Sequence, residues 1–249
     1  MSHNHSNSNF PDYTMNRNYI VFIAVLLFSC HFVNAQGLEP GDEGKIRAGL
    51  RLGVGAGFDN QTIFTTYDGI DIHLSAGGGV AIGANIGYRL FDQLELCSDL
   101  VYQISLLDQP VSNASAKFTR FVFSPVAKYL LFLKKDKSRI SINPGFGWGF
   151  YSSGTTDINA SDIPNGGHFI YEYKNASGPV VCAEFEFCTR KKLAFTGGLK
   201  YYSVEYTLDK LKIDGTTIPF NMIYQQDLKR ISKVDGSGID MYIGISWLF

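Results

Sequence analysis

No sign of charge prevails in this chain of 249 residues, where 22 lysines and arginines meet 23 aspartates and glutamates for a formal net charge of −1. With an isoelectric point near 6.5, it has no field to hold a polyanion, which excludes nucleic-acid binding as an expected role. Charge of either sign is scarce, 18% of residues against the roughly 25% usual for soluble domains. Histidine is scarcer still. Beyond residue 35 only His73 and His168 occur, too few for a multi-histidine metal site. Three cysteines follow the same point, Cys97, Cys182 and Cys188, an odd number that cannot pair fully within the chain. Cys182 and Cys188 lie on one expected strand, about 20 Å apart at about 3.3 Å per residue and so out of disulfide reach. Free, buried thiols are the expectation. Nor does any stretch of 18 apolar residues follow residue 35, so a helical membrane span is excluded. What the chain does have is 45% hydrophobic residues, 14% aromatics and 26 glycines, which excludes disorder and coiled coil.

One apolar run, Tyr19 to Phe28, is too short to span a bilayer; Arg17 precedes it and Val33-Asn34-Ala35 follows, a small-residue cleavage pattern. Residues 1–35 are therefore expected to be a secretory signal peptide cut after Ala35, with Met15 as the true start, because the polar residues before Met15 are unlike a signal n-region. Cys30 follows Leu27-Phe28-Ser29, an order that resembles a lipid-attachment site, but the bulky Phe28 and the better site at Ala35 argue against it. Residues 36–44 are expected to form a short periplasmic segment before a domain over 45–249.

From Arg47 to Phe58 the sequence alternates strictly, with Ala48, Leu50, Leu52, Val54, Ala56 and Phe58 on one face and arginine or glycine on the other. Period two is the signature of a strand. The pattern recurs in Val80 to Leu90, Leu94 to Leu106, Phe121 to Leu131, Ile140 to Phe150, Pro179 to Phe187, Leu193 to Tyr206 and Ile239 to Phe249, eight segments in all. The apolar face of each is almost unbroken for about 9 to 12 residues, what a tilted strand needs to cross hydrocarbon. Alternation alone does not distinguish inside from outside; the connections do. They alternate between short, near Phe91-Asp92-Gln93, Lys134 to Ser138 and Arg190 to Lys192, and long, at Asp59 to Gly77, Leu107 to Lys117, Ser152 to Gly178 and Thr207 to Ser237. Short periplasmic turns and long extracellular loops are the rule for outer-membrane barrels. The fold class is therefore all-β, an eight-stranded antiparallel transmembrane β-barrel. Turn signals Asp68-Gly69, Asn165-Gly166 and Asp214-Gly215 predict protruding hairpins within the long loops.

The chain ends in Met241-x-Ile243-x-Ile245-x-Trp247-x-Phe249, an alternating strand closing on an aromatic. With Lys45-Ile46-Arg47-Ala48-Gly49-Leu50 and Ile86-Gly87-Tyr88-Arg89-Leu90, residues 45–249 resemble the OmpX-like and PorT-like small barrels of Bacteroidota-type bacteria. The resemblance implies an eight-stranded barrel in the cell outer membrane, an assembly signal at Trp247 and Phe249 read by the outer-membrane assembly machinery, and no catalytic residues.

Arg47, Arg51, Arg89, Glu95, Asp99, Arg120, Lys128, Arg139, Glu184, Glu186, Lys200 and Asp240 fall on the lumen-facing parity. A barrel of eight strands is just wide enough for its side chains to fill, and buried charges must pair. A salt-bridged plug is expected over the alternative, an ion or small-solute channel, with Gly49, Gly53, Gly55, Gly57, Gly145, Gly147 and Gly149 leaving room for long side chains. His73 and Ser75 form an H-x-S pair of the kind found in outer-membrane lipid A deacylases, but their parity points inward and no carboxylate is placed to orient the imidazole. Asn60, Asn113, Asn159 and Asn175 begin N-x-S/T triplets that read as loop composition. Tyr67, Tyr171, Tyr173, Tyr201, Tyr202 and Tyr206 are expected mostly as interface girdle residues. The expectation is a non-enzymatic monomer without cofactor or metal, partnered by outer-membrane lipid. Its role would be envelope-structural or adhesion-like through the loops; a secretion-system accessory barrel belongs to the same class, and a lipid A-modifying enzyme is the competing one.

Overall fold

The computed structural model describes residues 45–65, 68–108, 111–134, 139–162, 167–189, 192–223 and 231–249. The leader with Met15, Cys30 and Ala35, the segment 36–44, Tyr67 and the Asn165-Gly166 turn lie outside them.

Eight long strands build the wall: β1 (Ile46–Gly57), β4 (Gly78–Phe91), β5 (Leu94–Leu106), β6 (Ser115–Tyr129), β8 (Arg139–Tyr151), β11 (Ala176–Cys188), β12 (Leu193–Tyr202) and β16 (Gly238–Leu248). Each pairs antiparallel with its sequence neighbours, β6 meets β8, and β1 meets β16 from Arg47↔Leu248 to Gly57↔Gly238. The sheet closes on itself, which leaves the wall no open edge. The short β7 (Leu131–Lys134) continues β6 past Leu130 and pairs with the start of β8.

Burial along each wall strand follows the sequence alternation. Arg47 and Glu186 are 1% and 0% exposed, whereas Ile82 and Ile243 on the opposite parity are 58% and 68% exposed. A soluble sheet would invert this. In a bilayer the exposed leucines, isoleucines and phenylalanines meet hydrocarbon, and closure lets the backbone of each strand pair with the strands on both sides, with a gap in the β6–β8 ladder at Ser124 and Pro125.

The long connections at one end carry further strands: β2 (Gln61–Thr65) with β3 (Asp71–Leu74), β9 (Thr155–Asn159) with β10 (His168–Tyr173), and β13 (Glu205–Ile213) with β14 (Thr216–Ile218) and β15 (Lys233–Asp235). Two expected strand bounds move by four residues or more here. The run expected to begin at Phe121 begins at Ser115, because its outer end leaves β8 and pairs with β9. The run expected to reach Tyr206 stops at Tyr202; the Val204 amide donates to Ser237 Oγ at 2.9 Å and its carbonyl accepts from the Gly236 amide, pinning a bend from which β13 departs to pair with β10. The order β6-β9-β10-β13 makes a sheet standing outside the wall. Asp214 and Gly215 both have positive φ, 47° and 81°, the geometry of the hairpin turn the sequence signals.

Candidate functional site: the barrel lumen and its mouth

On β1 the cations Arg47 and Arg51 are four residues apart, as are Glu95, Asp99 and Gln103 on β5 and Arg120, Ser124 and Lys128 on β6. Four residues advance a strand by about 13 Å and return to the same face, so these side chains stack as tiers up the lumen.

In the tier nearest the short turns, Arg47 reaches Glu95 Oε2 at 3.1 Å, Glu184 Oε1 at 3.2 Å and Glu186, which also accepts from Arg139 Nη2 at 2.9 Å. Arg89 lies across the register from Glu95. Glu184 anchors the next tier: its Oε2 accepts from Arg51 Nη2 at 2.7 Å, Lys128 Nζ at 3.0 Å and the Tyr242 hydroxyl at 3.1 Å. Above it Asp99 takes Arg51 Nη1 at 2.9 Å and Lys200 Nζ at 2.6 Å on its two oxygens. The outermost tier is different in kind. Arg120 donates to Gln103 Oε1 and to the Gly236 carbonyl, both at 2.9 Å, and its guanidinium lies 4.8 Å from the ring centre of Tyr202 and 5.2 Å from that of Tyr151. Asp240 accepts from the Tyr202 hydroxyl at 3.0 Å and Gln103 Nε2 at 3.2 Å.

All twelve side chains expected in the lumen are thus on its face, and the ladder of ion pairs brings most of them together. A void of about 30 Å³ beside Arg51, Lys200, Asp240 and Tyr242 has room for about one water. Glycines make the space, though not chiefly for arginine: a Cβ on Gly55 would collide with Asp240, and one on Gly145 would press on Cys182 and Lys128. Cys97, Cys182 and Cys188 are free and buried.

The mouth is closed by rings rather than charge. Phe118 on β6 is 1% exposed, with its ring centre 5.5 Å from Tyr206 and 6.2 Å from Tyr173; Tyr206 in turn lies 6.5 Å from Tyr151. Leu74 and Ala76 from the first loop, Ile158 from the third, and Val204, Leu208 and Val234 from the fourth complete this core. Tyr173, Tyr202 and Tyr206 therefore correct the girdle expectation: they are buried inside the mouth because the loops fold over it, whereas Tyr201, on the opposite parity from Tyr202, faces outward. Sequence reasoning placed Gln103 on the polar face of its strand without counting it in the lumen network, and it missed Tyr242, for which strand parity was the available signal. His73 and Ser75 sit in the first loop, outside the wall. The His73 ring pairs with Thr62 Oγ1 at 3.3 Å, while Ser75 Oγ donates to the Asp59 carbonyl at 3.0 Å.

Asp157 on β9 lies outside the wall, 2.7 Å from His168 Nε2 and 3.3 Å from Lys117 Nζ. Burial acts to raise its carboxyl, but the bonds from His168 and Lys117 outweigh burial and hold it below the ordinary carboxylate value. A lowered folded value gives stability that is present above the unfolded value of about 4 and lost as pH falls through the folded one. Acidification below about pH 4 is expected to loosen the β9–β10 pairing, read as loss of amide-exchange protection, and Asp157→Asn is expected to remove that pH dependence.

A wall of eight strands closed on itself, apolar outside and ion-paired within, defines a β-barrel of the bacterial outer membrane. Among solved structures the chain is similar to the outer membrane protein OprG from Pseudomonas aeruginosa, with TM-score 0.53 and 12% identity over 83% of this chain and 96% of that one. Weaker likenesses are to the outer membrane protein AlkL (TM-score 0.48, 10% identity, 87% and 95% covered) and a major outer membrane protein from Thermus thermophilus (0.46, 10%, 82% and 99%). No family profile and no curated protein matches the sequence.

Proposed function

We propose that this barrel is a non-enzymatic envelope protein whose working surface is the folded loop assembly outside the membrane, with the lumen serving as a rigid strut beneath it. The observation that carries the reading is the mouth: three of the long loops contribute to one aromatic and aliphatic core above a lumen already filled by ion pairs. A sealed lumen conducts nothing. The outer sheet, by contrast, offers β14, its last strand among the described residues, beside the exposed turn side chains Phe220 and Met222. Strand edges and exposed rings are the means by which such surfaces engage protein partners. The PorT-like features of the sequence point to a secretion-accessory role within the same class.

Replacing the tips around Asn165 to Gly167 and Asp214 to Gly215 with short turns tests this reading. The barrel is expected to insert and to keep its heat-dependent electrophoretic shift, while binding to cells or envelope partners falls. Steady conductance of the native protein in planar bilayers would replace this reading with a channel, and a change in lipid A acylation that Ser75→Ala abolishes would replace it with an enzyme.

A further inference from the structure

The lipid-facing wall has a depression that neither the plug nor the loops explain. Outward positions of neighbouring strands lie in rows fixed by the registers. One row runs Ala48, Ile86, Ser98, Pro125 across β1, β4, β5 and β6. The next, closer to the short turns, runs Ile46, Tyr88, Leu96, Ala127, Phe146 and ends on β8. Ser98, Pro125 and Ala127 are short where their neighbours are long, so the surface drops between Ile86, Tyr88, Leu96 and Phe146 into a groove of about 600 Å³ floored by Gly87 and Gly147. Ser98 also puts a short hydroxyl side chain on a face of β5 whose other members are leucines, Tyr102 and Ile104. At the same place the β6–β8 ladder pairs Phe123 with Phe150 and Val126 with Gly147 but skips the registers of Ser124 and Pro125, where proline has no N–H to give.

We infer that this groove seats one acyl chain of a phospholipid from the periplasmic leaflet, held more firmly than the lipid around the rest of the barrel. Its height selects the leaflet: Ile46 opens β1, and Tyr88 and Leu96 flank the Asp92–Gln93 turn, so the groove lies in the half of the wall nearest the short turns. Its surroundings select the occupant. Apart from the Ser98 hydroxyl the lining side chains are apolar and the solvent there is hydrocarbon, so water finds too few partners to stay, and an empty groove would forfeit dispersion contacts along its whole length. A second barrel is a convex surface of projecting side chains that bridges a trough more readily than it fills one. A flexible chain follows it.

Native mass spectrometry of the protein released from nanodiscs of palmitoyl-oleoyl phosphatidylethanolamine tests the assignment. One lipid is expected to survive activation that strips the others. Ala127→Phe and Ser98→Leu, which fill the groove in two different ways, are expected to reduce that retention roughly tenfold, as removing the contacts of several methylenes implies. Each variant is first confirmed as folded by its heat-dependent electrophoretic shift. Ile243→Phe, on a lipid-facing position of β16 outside the groove, is expected to leave retention unchanged. Equal retention in the filled variants, equal loss in Ile243→Phe, or a native dimer that the filled variants dissociate would each overturn the inference, the last in favour of a second copy as occupant.

Discussion

Replacing Glu184 with alanine is expected to lower the unfolding stability of the barrel by about 3–5 kcal/mol, the range for removing one partner from a buried ion pair. Glu184 is 1% exposed, and its carboxylate receives Arg47, Arg51, Lys128 and Tyr242. Alanine leaves three cations facing one another across a space narrower than a water-filled pore, and the nearest remaining carboxylates already hold partners. Asp99 is shared by Arg51 and Lys200, and Glu186 by Arg47 and Arg139. Glu184→Gln keeps the volume and removes only the charge, so it separates packing from electrostatics. The measurement is the urea midpoint of the folded, heat-shifted band in detergent. Glu205→Gln serves as the contrast: Glu205 pairs with Lys233 on the exposed outer sheet, where such pairs contribute little, and its midpoint is expected to stay put. A Glu184→Ala barrel as stable as native would mean that the lumen charges are hydrated individually rather than paired.

The second large effect is expected from Phe118→Ala. Its ring touches Tyr173 of the third loop and Tyr206 of the fourth, and a Cβ on Gly154 would collide with it, so the ring is the wedge that joins the loops at the mouth. Truncating a buried phenylalanine costs about 3–5 kcal/mol, and here the cost falls on the loop core while the wall keeps its full set of strand pairs. Protease added to intact cells is expected to cut the third and fourth loops of the variant and spare those of the native protein, with amide-exchange protection falling in β9, β10 and β13 but not in β5 or β12. Uniform loss of protection would show instead that the loop core and the wall unfold as one unit.

The wall was legible in the sequence because period two needs no distant information: Leu50, Leu52 and Val54 against Arg51 and Gly53 already separate lipid from lumen. The tiers were legible as well, since the spacing of Arg47 and Arg51, and of Glu95 and Asp99, is a property of one strand. Their partners were not. Arg51 finds Glu184 133 positions away, and Arg120 finds the Gly236 carbonyl 116 positions away; both distances depend on circumference and strand tilt. The tyrosines of the mouth were misread for a related reason. A tyrosine at a strand end suits a membrane interface and a buried aromatic core equally well, and the bend at Ser203 and Val204 that sends Tyr206 inward is fixed by Ser237, far along the fourth loop.

The partners of β1 also bear on how the barrel assembles. Arg47 and Arg51 sit on a strand bonded to β4 and β16, yet the carboxylates they bind are on β5 and β11. No hairpin made early can neutralise them, and the carboxylates of β11 come within reach only when the circumference is complete. A docking of β16 on β1 displaced by one residue would keep a backbone ladder but bring opposite faces of the two strands into line, sending lumen groups into hydrocarbon or leucines into the charged interior. The lumen charges thus act as a checkpoint on closure, rewarding the correct register and penalising its neighbours on either side.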